Sequence, residues 1–327
     1  MTTITAEPAA NSAPPSASAE ATRRGAALSL GTLGVVAATG LVLYEAVGTM
    51  VGDHGLGPTL AAGWATLVAP AFVVLVLVAV ACERVWPAER RPLFARGHVQ
   101  DAGYFLLYVL AIAPFMTLLS VGSAVTLGGH ARWLQATWTA GWPRWTVVVA
   151  ALVAMDFCNW VAHWGDHRVG ALWRIHALHH SQEELSVLTS FRAHPLMHTT
   201  GFILATIPVV ALMPTRAIAP VLITAYVCVG TLQHANLRWT FSPVGRVIVS
   251  PAYHRLHHAT DNQAVNLGVV LTIWDVLAGY ARFPARRGAV GRTGLDGRPV
   301  PVEQDGPARP ALRLLADQLL EPFQPRG

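Results

Sequence analysis

His163-Trp164-Gly165-Asp166-His167-Arg168-Val169-Gly170-Ala171-Leu172-Trp173-Arg174-Ile175-His176-Ala177-Leu178-His179-His180 is the stretch on which the reading of this chain turns. It follows an apolar run, Trp145 to Ala162, and carries two histidine boxes; a third, His254-Arg255-Leu256-His257-His258, comes much later. Helix residues three or four apart are neighbours, with Cβ atoms about 5–6 Å apart. Two imidazoles at that spacing can reach one metal ion. In the pattern H-x-x-H-H the last two rings differ by about 100° around the helix, so such a box can hold one ion and lean toward a second. Eleven of the fourteen histidines lie between residues 163 and 258. That concentration predicts a metal centre, and its size predicts two ions.

The rest of the chain says where the centre sits. Of 327 residues, 53% are hydrophobic and 13% charged, with mean hydropathy +0.43. Soluble domains carry about 25% charged residues, so a membrane protein is expected. Residues 1–24, rich in Ala, Pro, Ser and Thr, read as a disordered N-terminal segment. Apolar runs follow at Ala26 to Val47, Leu60 to Cys82, Ala102 to Leu127 and Trp145 to Ala162. Each approaches or exceeds the roughly 20 residues a spanning helix needs. Thr199 to Gly230, interrupted by Pro214-Thr215-Arg216, reads as a helical hairpin. The expected fold is all-α and polytopic: about four transmembrane helices plus the hairpin, with a histidine-rich helical cap. Residues 25–284 form the membrane domain and 285–327 a cytoplasmic tail, in which Ala311 to Leu320 reads as a short amphipathic helix or as partly ordered chain.

All 23 basic residues are arginine, and the net charge is +5. Arg23 and Arg24 precede the first run, Arg84, Arg90, Arg91 and Arg96 follow the second, and the loop Gly48 to Pro58 between them has none. By the positive-inside rule the N-terminus and the 83–98 linker are cytoplasmic. Counting onward, the histidine boxes and the C-terminus reach the same face, and the cell membrane is the expected location. The arginines are scattered, which gives no nucleic-acid face. Cys82, Cys158 and Cys228 all lie in or at the end of apolar runs, so the metal must be held by nitrogen and oxygen.

His163 and His167 stand at i, i+4. Asp156, two turns earlier, and Asp166 are candidates to accept the second N–H of a ligating ring. Ser181-Gln182-Glu183-Glu184 reads as a capping box that starts a new helix. His194, before a proline, and His198 read equally as ligands or as structural histidines. His234 follows the hairpin and could complete a coordination sphere. Imidazole suits zinc, copper, iron and nickel alike, and the absence of H-E-x-x-H counts against a zincin-type protease. A pair of iron ions beside a membrane could turn dioxygen on a lipid C–H bond.

With three boxes in this order, the chain resembles the membrane-bound fatty acid hydroxylase/sterol desaturase superfamily. The resemblance runs from about residue 98 to 284. It is carried by Leu172 to Ser181 and by Ser250-Pro251-Ala252-Tyr253-His254-Arg255-Leu256-His257-His258, with Asp261, Asn266-Leu267-Gly268, Trp274-Asp275, Gly279 and Tyr280. It implies a four-helix stem under a cytoplasmic cap and a non-haem di-iron centre between them. It also implies dioxygen as co-substrate, a lipid substrate and an external electron donor of ferredoxin or reductase type. Carried over, the iron ligands are His163, His167, His176, His179, His180, His254, His257 and His258, joined by His234; Asp261, Asn266 and Asp275 support them. The chain departs from the family pattern at Met197, Gly230 and Leu267, positions that bear on substrate class and coordination. The expected activity is lipid hydroxylation. Desaturation at the same site is the alternative, and a histidine-rich metal-binding or transport protein the reading of another class. A transporter would place its ligands near mid-membrane, and a membrane haem protein would not need three boxes.

Overall fold

A computed structural model of the chain describes residues 70–92, 94–116, 137–139, 141–212, 226, 228–261, 264–285, 291–296, 300–302 and 311–324. The N-terminal segment, the first apolar run and the turn of the expected hairpin lie outside the described residues. Among those described the fold is helical; isolated bridges such as Ile248 to Leu271 occur, but no strand.

Helix α1 (Pro70–Val85) continues the second apolar run. Helix α2 starts at His98, runs as α-helix to Leu107 and passes through a π-turn, Tyr108–Ile112, before ending at Met116. The π-turn is a local widening of a kind found often at functional sites. It sets the Tyr108 ring 5.0 Å from Phe191 and 5.3 Å from His198. Helix α3 (Arg144–Arg168) is longer than the apolar run that predicts it, so the first histidine box is its last turn and a half. One extended residue, Val169 (φ −99°, ψ 114°), separates it from α4 (Gly170–His180). That single break folds the second box back onto the first.

After His180 the structure differs from expectation. Ser181 does not start a new helix but closes α4; its hydroxyl donates to Leu178 O (2.7 Å), and Gln182 turns inward to Asp101. The capping box is Ser186 with Thr189, and it opens a 3₁₀ turn, Val187–Phe191. The box lies five residues later than expected, because the Gln182 amide has a buried carboxylate to satisfy. Helix α5 (Pro195–Leu212) then begins with proline in its first turn and packs along α3. Helix α6 (Pro251–His257) carries the third box; Ser250 caps it, accepting from Tyr253 N at 3.2 Å, with Pro251 next. Helix α7 (Ile273–Ala278) and helix α8 (Ala311–Leu320) complete the described elements. Helix α8 packs on α2 rather than lying free. Leu315 and Leu319 join the core around Tyr104 and Tyr108, and Gln318 receives the Tyr104 hydroxyl at 2.9 Å.

Two of these helices, His98–Met116 and Trp145–Arg168, are long and apolar enough to cross a membrane. The apolar window of α3 is only 17% buried within the structure. Trp145, Val149, Val153, Phe157, Val161 and Trp164 form an exposed stripe down its length. Burying such a stripe in lipid removes it from water.

Candidate metal centre

All nine histidines of the expected ligand set come together, in two groups. His163, His167, His176, His180 and His257 form one; His179, His234, His254 and His258 form the other. Within each group the candidate ligand atoms all lie within 4.8 Å of one another. The two H-x-x-H-H boxes divide in opposite senses. The first sends its i, i+4 pair, His176 and His180, to the group of five and His179 to the group of four. The second sends His254 and His258 to the group of four and His257 to the group of five. Rings four apart share a helix face while the one between is rotated off it, so each box necessarily serves both groups. The His180 and His258 rings stack at 4.4 Å where the groups meet.

Hydrogen-bond partners assign the ring tautomers. His163 Nδ1 donates to Leu267 O (2.8 Å), His257 Nδ1 to Val265 O (2.8 Å) and His179 Nδ1 to Arg192 O (3.1 Å). His234 Nδ1 donates to Ser190 Oγ (2.9 Å), whose own hydroxyl proton goes to Thr231 O. Each Nε2 is therefore a bare lone pair. His179 Nε2 and His234 Nε2 face each other at 2.9 Å, and His254 Nε2 stands 2.9 Å from His234 Nε2. Two acceptors at that distance repel unless a cation lies between them. Ligand nitrogens about 2.0–2.1 Å from one ion are themselves roughly 2.9–3.4 Å apart for right-angled to tetrahedral geometry. The Nε2 atoms of His163, His167 and His257 are buried without a partner among the described residues. The donor set fits metal ions in both groups.

A proton is the poorer cation here. Burial, with repulsion from neighbouring imidazoles, holds His176, His179, His180, His254, His257 and His258 well below the ordinary histidine range. Burial takes His234 down to about 3. Neutral imidazole is the ligating form. Unfolding returns these rings to pKa values near 6.5, so below that pH the unfolded chain binds more protons than the folded one and stability falls with pH. Metal-free protein is expected to melt at a lower temperature at pH 5 than at pH 7.5 in a thermal scan. Equal melting would contradict the burial of the cluster.

The supporting residues differ from expectation in role. Asp156 meets no histidine; it accepts from Val270 N (3.0 Å), Leu271 N (3.1 Å) and Trp274 Nε1 (2.8 Å), pinning the 270–274 segment to α3. Asp166 is buried, with Oδ2 3.7 Å from His176 Nδ1. The nearer partner of that nitrogen is Met197 Sδ, at 3.1 Å. Asp261 is exposed in the turn after the third box. Asn266 adopts φ 57° and ties the chain to Tyr253 O and to both backbone groups of Arg282, which aims the Val265 and Leu267 carbonyls at His257 and His163. Asp275 fastens the same turn, accepting from Trp160 Nε1, Leu267 N, Tyr253 OH and Gly268 N at 2.8–3.0 Å. Removing it orphans four donors. Asp275→Ala is expected to weaken metal retention about 10–100-fold, the range for residues that orient ligands, with Asp275→Asn between it and the parent; timed chelator extraction reads the difference.

His194 and His198 lie outside both groups. His194 Nε2 donates to Leu319 O of α8 (3.1 Å) and its Nδ1 accepts from Leu196 N at the start of α5 (3.2 Å), so both nitrogens are occupied. His198 packs on Tyr108 with Nε2 unpaired among the described residues. Sequence reasoning did not single out Ser190 or Arg192, whose partnership with ligating rings depends on tertiary contacts. The end of α1 and the linker after it reach the same region: Glu89 pairs with Arg255 of the third box and with Arg91, and Glu83 Oε1 accepts from Val187 N and Asn236 N, each at 2.7 Å.

Residues 148–280, which hold both groups, match the fatty acid hydroxylase family. The histidine-rich region of this chain is thus similar to that family. The ornithine lipid hydroxylase OlsE of Rhizobium tropici is 34% identical over 156 residues, 46% of each chain. The alkylglycerol monooxygenase of Caenorhabditis elegans is 27% identical over 158 residues, 48% of this chain and 30% of its own length. The human alkylglycerol monooxygenase is 24% identical over 167 residues, 50% of this chain and 36% of its own. The chain thus spans less than half the length of these relatives. No solved structure matches it. The matched region begins inside α3 and ends at Tyr280, so α1, α2 and α8, which share an apolar cluster with Leu178 of the second box, lie outside it.

Proposed function

We propose that the protein is a membrane-bound non-haem di-iron monooxygenase that hydroxylates a C–H bond of a lipid, with dioxygen and two electrons from a separate ferredoxin- or reductase-type donor. The observation that carries the reading is the opposed pair of unprotonated Nε2 atoms, His179 and His234, within two all-histidine groups that share their boxes. The group of five would hold one ion and the group of four the other. A di-iron pair so held would supply dioxygen reduction and attack on an unactivated C–H bond. Relatives named for lipid hydroxylation support the substrate class.

The residues of this chain do the rest. The carbonyls of Arg192, Val265 and Leu267 hold three rings with Nε2 inward. The apolar cluster of Tyr108 and Phe191, which takes in Leu178 between the rings of the second box, would keep water from them on that side. The boxes stand at the end of α3, at a cytoplasmic membrane face, where an apolar chain with a polar head would present its chain to the site.

High-resolution lipid mass spectrometry of the native host tests the reading. A deletion strain is complemented with the normal gene or with His179→Ala/His180→Ala. A lipid that gains one oxygen only with intact histidines is expected. Loss of two hydrogens instead would make the enzyme a desaturase, and matching profiles with both proteins expressed would replace the oxygenase reading by metal handling.

A further inference from the structure

Helix α7 and the segment before α6 leave a set of large apolar side chains uncovered. Val244, Val247, Ile248, Ile273, Val276 and Leu277 are all exposed, Leu277 at 73% and Val247 at 58%. The two segments are one surface. Thr272 N donates to Val247 O (3.0 Å), the Thr272 hydroxyl to Arg246 O (2.6 Å), and Ile248 bridges Leu271. The only acid within α7, Asp275, is turned inward and buried. A patch of this composition on a protein surface marks a partner.

Its attachment to α3 says which partner. Trp274 bonds Asp156 and its ring lies 5.0 Å from Phe157, while Trp160 bonds Asp275. Helix α7 therefore runs beside residues 156–160 of α3, where Trp274, next to the exposed Ile273, packs on Phe157 of the exposed stripe. The apolar run of α3 ends at Ala162. At about 1.5 Å per residue, residues 156–160 lie roughly 3–9 Å inside that end. An interfacial helix buries its apolar face about 5–10 Å into the headgroup boundary. The rim of the patch is basic. Arg168 holds the Tyr280 hydroxyl (2.8 Å), Arg246 sits 5.2 Å over the Phe283 ring, and Arg282 is exposed nearby. Long basic side chains at the edge of an apolar face suit anionic lipid headgroups.

We propose that Val244–Ile248 and α7 form a foot that dips into the same lipid leaflet that α3 enters, seating the histidine cap on an anionic membrane surface. The foot is mechanically tied to the metal groups, since the turn that Asp156 and Asp275 clamp also presents the Val265 and Leu267 carbonyls to His257 and His163. This rests on the membrane reading of α3, and the test separates the two.

Single spin labels are placed at Leu277→Cys, Val247→Cys, Val153→Cys and Asp317→Cys, in the full chain with Cys82, Cys158 and Cys228 replaced by serine. The protein is held in nanodiscs of phosphatidylcholine with phosphatidylglycerol, and metal content is checked on each variant. Collision with oxygen, which concentrates in lipid, is compared with collision with a water-soluble nickel chelate. The oxygen-to-nickel ratio at positions 277 and 247 is expected to approach that at 153 and to exceed that at 317 several-fold. If 153 is in lipid and 277 and 247 match 317, the foot is overturned and the membrane reading stands. Shielding of 277 and 247 from both reagents would mean a protein partner, and also overturns it. A water-exposed 153 would remove the membrane reading and the foot together.

Discussion

His257→Ala is expected to release the metal of the five-histidine group and to lower lipid oxidation by at least about 100-fold, beyond the range set by residues that merely orient ligands. His257 is the one ring the third box contributes to that group. It stands 4.6 Å from the His163 ring, 4.6 Å from His180 and 4.7 Å from His167. Its Nδ1–H is committed to Val265 O, so its Nε2 points at the group as a lone pair with no partner among the described residues. Removing it takes away a ligand and the tether between α6 and the end of α3 in one step. His194→Ala is the matched control. It also removes a largely buried imidazole, but one whose two nitrogens bond Leu319 O and Leu196 N. Elemental analysis of both purified variants decides the matter. The control should keep its metal and His257→Ala should lose about half or more. Two ions and full turnover in His257→Ala would dismiss the five-histidine group as a metal site.

The contrast between those two histidines shows what the sequence can and cannot carry. Spacing alone told that each H-x-x-H-H box would turn its rings to two sides, and the rings do divide between two groups, because helical periodicity is local and rigid. The same holds for α3 running into the first box. His194 and His198 stayed ambiguous because the partner that decides His194, Leu319 O, lies 125 residues away. Asp156 stood out as a carboxylate in an apolar helix, but the histidine partner expected for it was wrong: it holds a segment 114 to 118 residues downstream that local sequence cannot reveal. The capping box at Ser181 was misplaced for a similar reason: Gln182 reaches Asp101 across 81 residues, and a buried carboxylate outweighs a local cap. Asp101 itself had a readable signal, as an acid at the entrance to an apolar run. Its partner did not.

That pair gives the largest effect on folding. Asp101 and Arg192 are wholly buried, with Arg192 Nε 2.6 Å from Asp101 Oδ1. Asp101 Oδ2 accepts from Gln182 (2.8 Å) and Thr189 (2.9 Å), and Arg192 Nη2 donates to Gly97 O (3.1 Å). Removing one member of such a pair leaves an uncompensated charge away from water, at a cost of about 3–5 kcal/mol. Asp101→Asn and Arg192→Met are each expected to destabilise the protein by that order, read from thermal or denaturant unfolding. The double variant should lose less than the sum, since neither charge is then stranded. A second consequence separates this pair from an ordinary structural one. The backbone carbonyl of Arg192 accepts the His179 Nδ1–H, and Arg192 closes the 3₁₀ turn by donating its N–H to the carbonyl of Thr189, whose hydroxyl is bonded to Asp101. Loosening the pair should therefore free the His179 ring and favour metal loss from the four-histidine group while the five-histidine group keeps its ion. Chelator extraction of Arg192→Met followed by iron counting should stop near one ion per chain. Simultaneous loss of both ions would mean that the pair acts only on global stability, and that the Arg192 carbonyl has no particular hold on His179.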